Sequence, residues 1–252
     1  WRHGSDAVIA TAQCIKDEFL NKGLAAATRI HVIGEWADDA FFDISGRAQH
    51  QEDVRAEFQV PAGDALVAVV GMLRGDKAQE HLIHTTAEMK RRGHPITALI
   101  VGSATNTQDT YEAELRALAA KLGVTDRVRF AGYRDDVARL TQGADILAIT
   151  STAVEAQSRT APQGFASLTP VVASNIGGVA ELVRPGETGW LVAPGDARAY
   201  ADAFIAILGV PDKATEVTRR ARELAEASLR IQPKMAETLM VYDALINKRT
   251  TS

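Results

Sequence analysis

Cysteine, long apolar runs and an excess of positive charge are all missing from this 252-residue sequence, and each absence excludes a class of protein. The single Cys14 excludes an intramolecular disulfide framework or a cysteine-rich zinc site, and it suits a reducing, cytoplasmic compartment. No apolar run reaches the roughly 20 residues that span a bilayer. Because 28 Lys and Arg stand against 32 Asp and Glu, we expect no nucleic-acid partner, and any bound anion must be held locally.

An alternation of short apolar runs and longer amphipathic segments begins at residue 66. This pattern predicts an α/β fold in which helices cover both faces of a doubly wound parallel sheet. Two of the intervening helices, Lys77–Arg92 and Asp109–Leu122, each end before a glycine, which is the usual C-terminal cap. The predicted strands are Leu66–Leu73, Ile96–Gly102, Val128–Gly132, Ile146–Thr150 and Val171–Ser174.

Weaker patterns precede this core. Ala7–Thr11 and Arg29–Ile33 predict two strands around a helix that runs from about residue 12 to residue 22, and we interpret them as the tail of a separate sheet. Residues 35–64 then lose strand character and contain one short helix candidate, Gln51–Phe58. This stretch is therefore predicted to be a linker.

The C-terminal part is predicted to be mostly helical. A short strand, Trp190–Val192, is followed by helices from Ala197 onward, with breaks at Pro211 and Pro233. The last helix, roughly Pro233–Asn247, places its apolar residues on one side. An unpaired apolar side of this kind favours self-association.

A doubly wound sheet binds ligands outside the carboxyl ends of its strands, so the strand-to-helix loops hold the candidate site residues. The first loop starts at Gly71 and carries Arg74 and Lys77, two cations suited to a phosphate or diphosphate. The second loop starts with Gly102 and Ser103, which allow a ligand to approach the backbone closely.

A third loop supplies an aromatic ring and a cation. Tyr133 and Arg134 follow the third predicted strand and precede Asp135 and Asp136. Adjacent carboxylates of this kind usually cap a helix and stay solvated, so we expect no metal site here.

The fourth loop, Ser151–Arg159, leads into a short helix that contains Gln163, and here the sequence resembles a known family. The chain resembles the donor-binding half of the retaining family-4 glycosyltransferases of the GT-B fold, whose hallmark is two glutamates separated by seven residues and followed by a Pro-Val-Val strand start. Glu155, Gln163 and Pro170 occupy these three places. The resemblance extends over Asp6–Thr11, Asp39–Phe42, Ser174–Glu181 and Gly186–Val192.

The resemblance implies a role for each matching residue. Lys77, with Arg74 nearby, would neutralise the departing diphosphate, and Glu155 would contact hydroxyls of the transferred sugar. The backbone N–H groups of Ala156, Gln157 and Ser158 would reach the phosphate, and Gln163 would hold the ribose hydroxyls. We therefore predict Glu155, Lys77 and Arg74 as catalytic residues. The predicted donor-binding residues are Gly71, Gly102, Ser103, Tyr133, Ser151, Ala156, Gln157, Ser158 and Gln163.

Three positions depart from the family pattern. Gln163 replaces the second glutamate, and an amide lacks both the charge and the paired oxygens of a carboxylate. Leu168 stands where the family favours glycine, and Met72 takes the place of an arginine that is displaced to Arg74. These differences affect the identity of the donor more than the fold.

The implied function is transfer of a sugar from a UDP-, GDP- or ADP-linked donor to an acceptor glycan or lipid-linked sugar, with retention and with no metal or other cofactor. Two alternatives stay open: a non-catalytic nucleotide-sugar-binding fragment or half of a split enzyme, and a GT-B nucleotide-sugar epimerase. A dinucleotide-dependent dehydrogenase is disfavoured, because no Gly-x-Gly-x-x-Gly follows the first strand of either sheet.

The resemblance also implies a division into four segments. Residues 1–34 would be the remnant of an acceptor-side domain that is otherwise missing, and residues 35–64 the interdomain linker. Residues 65–230 would form the Rossmann-like nucleotide-sugar domain, and residues 231–252 a helix that crosses back. We expect this fragment alone to be inactive, and any contact with the inner face of the membrane to be made through the missing domain.

Overall fold

The computed structural model describes residues 5–104, 110–153 and 156–250. Its strands are β1 (Val8–Ala10), β2 (Ile30–Val32), β3 (Ala65–Val70), β4 (Ile96–Val101), β5 (Val128–Gly132), β6 (Ile146–Ile149), β7 (Val171–Ser174) and β8 (Trp190–Val192). Its helices are α1 (Gln13–Asn21), α2 (Asp39–Phe42), α3 (Arg47–Glu57), α4 (Glu80–Arg91), α5 (Tyr111–Lys121), α6 (Val137–Gly143), α7 (Thr160–Ala166), α8 (Val179–Leu182), α9 (Ala197–Gly209), α10 (Pro211–Ser228) and α11 (Ile231–Thr250).

Two parallel sheets form, as predicted. The small sheet pairs β1 with β2, and the large sheet has six strands in the order β5-β4-β3-β6-β7-β8. The chain builds the large sheet outward from β3 to β5 and then returns to place β6 on the other side of β3. The topological switch point therefore lies between β3 and β6, which is where a ligand crevice is expected in such sheets.

Apolar clusters cover both faces of the large sheet. Phe165 of α7 is fully buried on one face, and Tyr200 and Phe204 of α9 are fully buried on the other. The central strands β3, β4, β6 and β7 are mostly apolar and buried on both sides, which explains the runs of Val, Ile and Leu in the sequence. The Tyr200 hydroxyl bonds to Ser174 Oγ and to the carbonyl of Ile149, so its polar atom is satisfied inside the core.

The predicted strands are confirmed to within three residues, but α4 begins later than predicted. Residues before Glu80 form a loop, since Ala78 has φ +52° and cannot belong to a right-handed helix. β3 likewise ends at Val70 rather than at Leu73, because Gly71 with φ +155° turns the chain out of the strand.

The predicted break at Pro233 is wrong. The chain breaks instead at Leu229 and Arg230, where Arg230 forms a bridge with Ala37, and α11 starts at Ile231. Pro233 then lies in the first helical turn, where a missing N–H costs nothing because the first N–H groups of a helix have no partner within it.

Residues 35–64 contain more structure than the predicted short helix. α3 begins at Arg47, four residues before the prediction, and packs on α6 so closely that a methyl group on Gly143 would lie 2.7 Å from Val54 Cβ. Phe41, Phe42 and Val54 are buried in the core of the large sheet. The segment therefore helps to build the main hydrophobic core, whereas the predicted division into four segments stays a prediction.

The outer side of α11 is apolar and exposed. Leu239, Met240, Tyr242 and Ile246 each expose more than half of their surface. In the part of the chain that the structure describes, none of the helices is long and apolar enough to cross a membrane.

Candidate functional site

Two cavities adjoin at the carboxyl ends of the central strands and share Val70 and Gly71. The first, called the apolar cavity here, has a volume of about 430 Å³. The second, called the polar cavity, has about 250 Å³ and lies between the ends of β3 and β6 at the switch point. The apolar cavity is lined by Val70, Gly71, Met72, Val101, Gly102, Ser103, Ala104, Tyr133, Arg134 and Val137. The polar cavity is lined by Val69, Val70, Gly71, Lys77, Gln79, Ala148, Ile149, Thr150, Ser151, Gln157, Ser158, Arg159 and Thr160.

Gly71 and Gly102 are in direct contact where the first two loops leave the sheet. Gly102 has φ +141°, and a methyl group on it would lie 1.9 Å from the carbonyl oxygen of Gly71. Backbone hydrogen bonds between the neighbouring strands continue past the ends of β3 and β4. Gly71 N–H donates to Val101 O and Gly102 N–H donates to Gly132 O, each at 2.9 Å. Only glycine fits at residue 102. The two predicted glycines line the apolar cavity, and their role in donor binding stays a prediction.

The loop that carries Lys77 is held at both ends. Gln79 Nε2 donates to Met72 O at 2.9 Å, which closes the loop on itself. The Thr150 hydroxyl donates to Lys77 O at 2.8 Å, and Thr152 N–H donates to Asp76 O at 3.2 Å. The half-buried Lys77 is therefore fixed against the loop that follows β6, on the wall of the polar cavity.

Arg74 lies in the same loop but lines neither of the two cavities in the described structure. Its guanidinium pairs with Asp76, with Arg74 Nη2 2.5 Å from Asp76 Oδ2. The hydrogen bonds from Arg74 hold the pKa of Asp76 below its ordinary value, so the pair stays ionised at neutral pH. The predicted role of Arg74 at a diphosphate stays a prediction.

The third loop presents Tyr133 to solvent and fixes Arg134. Tyr133 is 76% exposed and lines the apolar cavity. Arg134 binds Asp136 at 2.7 Å and Glu57 at 2.6 Å. Asp136 stands at the N-cap of α6 but forms no capping bond; its carboxylate instead accepts from Arg134 and Arg139, which keeps its pKa well below the ordinary value. Asp136 therefore does not cap α6 as predicted. It belongs to an ion-pair network in which Arg134 and Arg139 also bind Glu57 of α3, so the network holds the third loop to α3.

The fourth loop brings three of the predicted residues together. Ser151, Gln157 and Ser158 line the polar cavity, and the Thr160 N–H donates to Ser158 Oγ at 3.3 Å. Ala156 lies beside them, but Glu155 is outside the described residues. Gln163 is half-buried in α7 and is not among the described residues that line either of these two cavities.

Leu168 follows the end of α7 and has φ +54°, a left-handed backbone conformation that favours glycine. Leu168 N–H donates to Phe165 O, and Thr169 N–H donates to Gly164 O, which together close the helix. Leu168 therefore replaces the glycine that the family favours, but its backbone adopts the left-handed conformation that a C-terminal glycine cap has.

Gln79, Arg159 and Thr160 belong to the site and were not predicted as site residues. Gln79 is 1% exposed, and its Oε1 has no hydrogen-bond partner within the described part of the chain. Arg159 stacks on Trp36 at 4.9 Å and pairs with Glu35 at 3.6 Å. The only sequence feature that could have indicated these three residues is their closeness to predicted site residues: Gln79 lies two residues after Lys77, and Arg159 and Thr160 follow Ser158. Among the described residues, His, Cys, Asp and Glu form no group of three or more that could hold a metal ion.

A family model described as "Glycosyl transferases group 1" matches residues 50–224 of the chain. This range includes the loops that line both cavities. A relative in Nocardia farcinica, named D-inositol 3-phosphate glycosyltransferase, is 34% identical over 197 residues, which are 77% of this chain and 43% of that protein. The chain therefore spans less than half the length of this curated relative.

Solved structures share the fold. The Anabaena protein HepE, crystallised in complex with UDP-glucose, is 26% identical, has a TM-score of 0.87 and is matched over 97% of this chain and 65% of its own. The C-terminal domain of the group 1 glycosyl transferase LpcC from Francisella tularensis is 21% identical, with a TM-score of 0.66, and covers 77% of this chain and 97% of its own. The second likeness shows the fold alone.

Proposed function

The chain belongs to the group 1 glycosyl transferase family, and we propose that it binds the nucleotide sugar from which such an enzyme transfers a sugar. The observation that carries this proposal is the pair of adjoining cavities at the switch point, with Lys77 on the wall of the smaller one. A nucleotide sugar has the same division, because its flat base and its ribose are joined to a charged diphosphate.

In this proposal the base and ribose occupy the apolar cavity. Met72 and Tyr133 are exposed at its rim and provide apolar and aromatic surface, while the backbones at Gly71 and Gly102 allow close approach. The backbone N–H of Ser103 provides a donor for a ring edge, whereas its carbonyl already accepts from Leu73 N–H at 3.1 Å.

The diphosphate and the sugar then occupy the polar cavity. Lys77, assisted by Arg74, stabilises the charge that develops on the departing diphosphate, and the N–H groups of Ala156, Gln157 and Ser158 donate to its oxygens. Glu155 contacts the sugar hydroxyls. Gln163, which lines neither cavity in the described structure, would have to reach the ribose hydroxyls from α7 through its side-chain amide. The positive charge needed at the leaving group comes from side chains in this scheme, so no metal enters the step.

A UDP-sugar is the favoured donor, because HepE was crystallised with UDP-glucose and matches nearly all of this chain. The relative named D-inositol 3-phosphate glycosyltransferase makes a phosphorylated polyol a reasonable acceptor to test beside the predicted glycan and lipid-linked sugar. Since the chain spans 43% of that relative, the complete reaction requires an acceptor site that we place outside these residues. Nucleotide-sugar binding without catalysis is the second candidate.

Calorimetric titration of the chain with UDP, GDP, ADP and their common sugar conjugates tests the proposal. We expect micromolar binding that is selective for one base. Absence of binding to every nucleotide would overturn the proposal.

Lys77→Ala tests the assignment of the polar cavity. We expect the Kd for UDP to rise about 10- to 100-fold, because one charge-assisted hydrogen bond to phosphate is lost, while the Kd for uridine stays unchanged. Lys121→Ala, at the exposed end of α5, is the matched control and should change neither affinity. Equal loss of UDP and uridine binding in Lys77→Ala would contradict the placement of the diphosphate.

A further inference from the structure

The first helix of the chain is capped by a residue far away in the sequence. α1 begins after Ala12, which has no side chain able to cap it. Glu181 of α8 supplies the cap: its Oε2 accepts from Gln13 N–H at 2.9 Å and its Oε1 accepts from Cys14 N–H at 2.8 Å. Both carboxylate oxygens thus join the β1–α1–β2 unit to α8, at the end of the loop that follows β7.

The same loop is packed tightly between that unit and the fourth loop of the candidate site. A methyl group on Gly178 would lie 1.7 Å from Ala156 O and 2.5 Å from Ala12 Cβ. The backbone at residue 178 therefore contacts α1 on one side and the proposed phosphate loop on the other.

The fourth loop also binds the chain just after β2. Gln157 Oε1 accepts from Glu35 N–H, and a methyl group on Gly34 would lie 2.4 Å from that oxygen. Arg159 pairs with Glu35 and with Asp38, the latter at 3.5 Å. Residues 156–159 are consequently bound to the chain just after β2 and lie, through Gly178, next to the start of α1.

We infer that Glu181 is a positioning residue that holds the β1–α1–β2 unit against the 156–159 loop, so that occupancy of the polar cavity and docking of the unit stabilise each other. The inference rests on the proposed function, since it assumes that a diphosphate contacts this loop. The backbone of Gln157 would face the phosphate while its side chain holds Glu35, so a shift of the unit moves a group that binds the ligand. Coupling of this kind is reciprocal by thermodynamic linkage.

Amide hydrogen exchange of the whole chain tests the first half of this inference. Glu181→Ala removes both acceptors, so exchange at Gln13 and Cys14 should become about tenfold faster than in the wild type. Saturating UDP should slow exchange at these two amides in the wild type and have no such effect in Glu181→Ala. Glu181→Gln keeps one acceptor oxygen and should give an intermediate result if the alanine variant folds poorly.

Binding affinities test the second half. In Glu181→Ala the Kd for UDP should rise about three- to tenfold, whereas the Kd for uridine, which lacks the phosphates, should not change. Glu187→Ala is the matched control, because Glu187 is an exposed glutamate six residues further on that forms an ion pair with Arg184 at 3.9 Å. It should alter neither the exchange rates nor the affinities.

The reactivity of the Cys14 thiol reports independently on the contact between Glu181 and the start of α1. Burial and the neighbouring Glu181 carboxylate raise the pKa of the Cys14 thiol. Because Cys14 is the sole cysteine of the sequence, the pH profile of alkylation reports on this position alone. The profile should move to lower pH in Glu181→Gln and stay unchanged in Glu187→Ala.

The outcomes separate this inference from the proposed function. If the wild type binds no nucleotide, the proposed function is wrong. If the wild type binds UDP but Glu181→Ala binds it equally well, or if UDP leaves exchange at Gln13 and Cys14 unchanged, Glu181 is only a structural cap and the coupling is refuted.

Discussion

The two edges of the large sheet, where the strands begin and where they end, are built from different residues. At the amino edge, where the strands begin, Asp64 and Asp145 are bound by groups of the protein itself. At the carboxyl edge, glycine backbones and loops surround the two cavities of the candidate site. The amino edge also has a cavity, of about 410 Å³, so concavity alone does not distinguish the two edges.

The difference lies in what happens to the polar groups. Asp64 is 3% exposed and binds Arg127 and the Thr97 hydroxyl, while Asp145 accepts from Leu66 N–H at 2.7 Å and from Arg55 at 3.1 Å. At the carboxyl edge, by contrast, the buried Oε1 of Gln79 has no hydrogen-bond partner in the described residues. Asp64 and Asp145, with their partners, join neighbouring strands, whereas Gln79 leaves an acceptor oxygen for a ligand on the wall of the polar cavity. Buried polar atoms without a partner are not confined to the carboxyl edge, because within the described residues Thr141 Oγ1 and Ser167 Oγ, which precede β6 and β7, also have none.

Gly102→Ala, which places a methyl group between the first two loops of the carboxyl edge, is expected to have the largest effect on stability and binding. The new methyl group would lie 1.9 Å from Gly71 O, and φ +141° is unfavourable for alanine. We expect the free energy of unfolding to fall by about 3 kcal/mol, measured by urea denaturation, and nucleotide binding to be lost. Gly75→Ala is the control, because a methyl group on Gly75 meets nothing within 4 Å. Normal stability of Gly102→Ala would mean that the first two loops are not in contact.

Asp64→Ala breaks the amino edge with a smaller expected effect. It leaves Arg127 and the Thr97 hydroxyl without their shared partner, and should lower the free energy of unfolding by about 2 kcal/mol. Asp126→Ala is a strict control, because Asp126 contacts the same Arg127 at 3.4 Å but is exposed, and should cost under about 0.5 kcal/mol.

Ligand affinity completes the Asp64 comparison. Fluorescence or calorimetric titration should give the same nucleotide Kd for Asp64→Ala as for the wild type at a temperature where both are folded. A selective loss of nucleotide affinity would place a function at the amino edge and remove the distinction between the edges.

Periodicity in the sequence was enough to predict the large sheet, because strands that are covered on both faces must be apolar throughout. The start of α4 could not be predicted in this way. Residues 77–79 continue the helical pattern, and it is the contacts of Gln79 with Met72 and of Thr150 with Lys77 that keep them in a loop. The packing of α3 on Gly143 could not be predicted from periodicity either, since it joins segments about 90 residues apart in the sequence.

For the site, the sequence predicted which loops would meet, because parallel strands bring their carboxyl ends to one edge. It could not predict which side chains pair with each other. Arg74 was predicted to act on a diphosphate from its charge and from the family resemblance, but its guanidinium pairs with Asp76. Gln157 was predicted from the resemblance through its backbone N–H, and its side chain binds Glu35. Glu181 belongs to a segment that matches the family, but no role was predicted for it. Its hydrogen bond to α1 joins residues that are 168 positions apart in the sequence.

The smallest expected effect concerns backbone strain at the two edges. Gln59 precedes the amino edge with φ +49° and is exposed, so Gln59→Gly removes strain without removing buried surface. We expect a gain of about 0.5 to 1 kcal/mol in the free energy of unfolding. Ala78 has nearly the same φ but is fully buried beside Lys77, and losing its methyl group offsets the relief by about 0.8 kcal/mol. Ala78→Gly should therefore leave stability nearly unchanged, as thermal melts can measure, and a clear gain there would mean that the Lys77 loop is strained rather than held by packing.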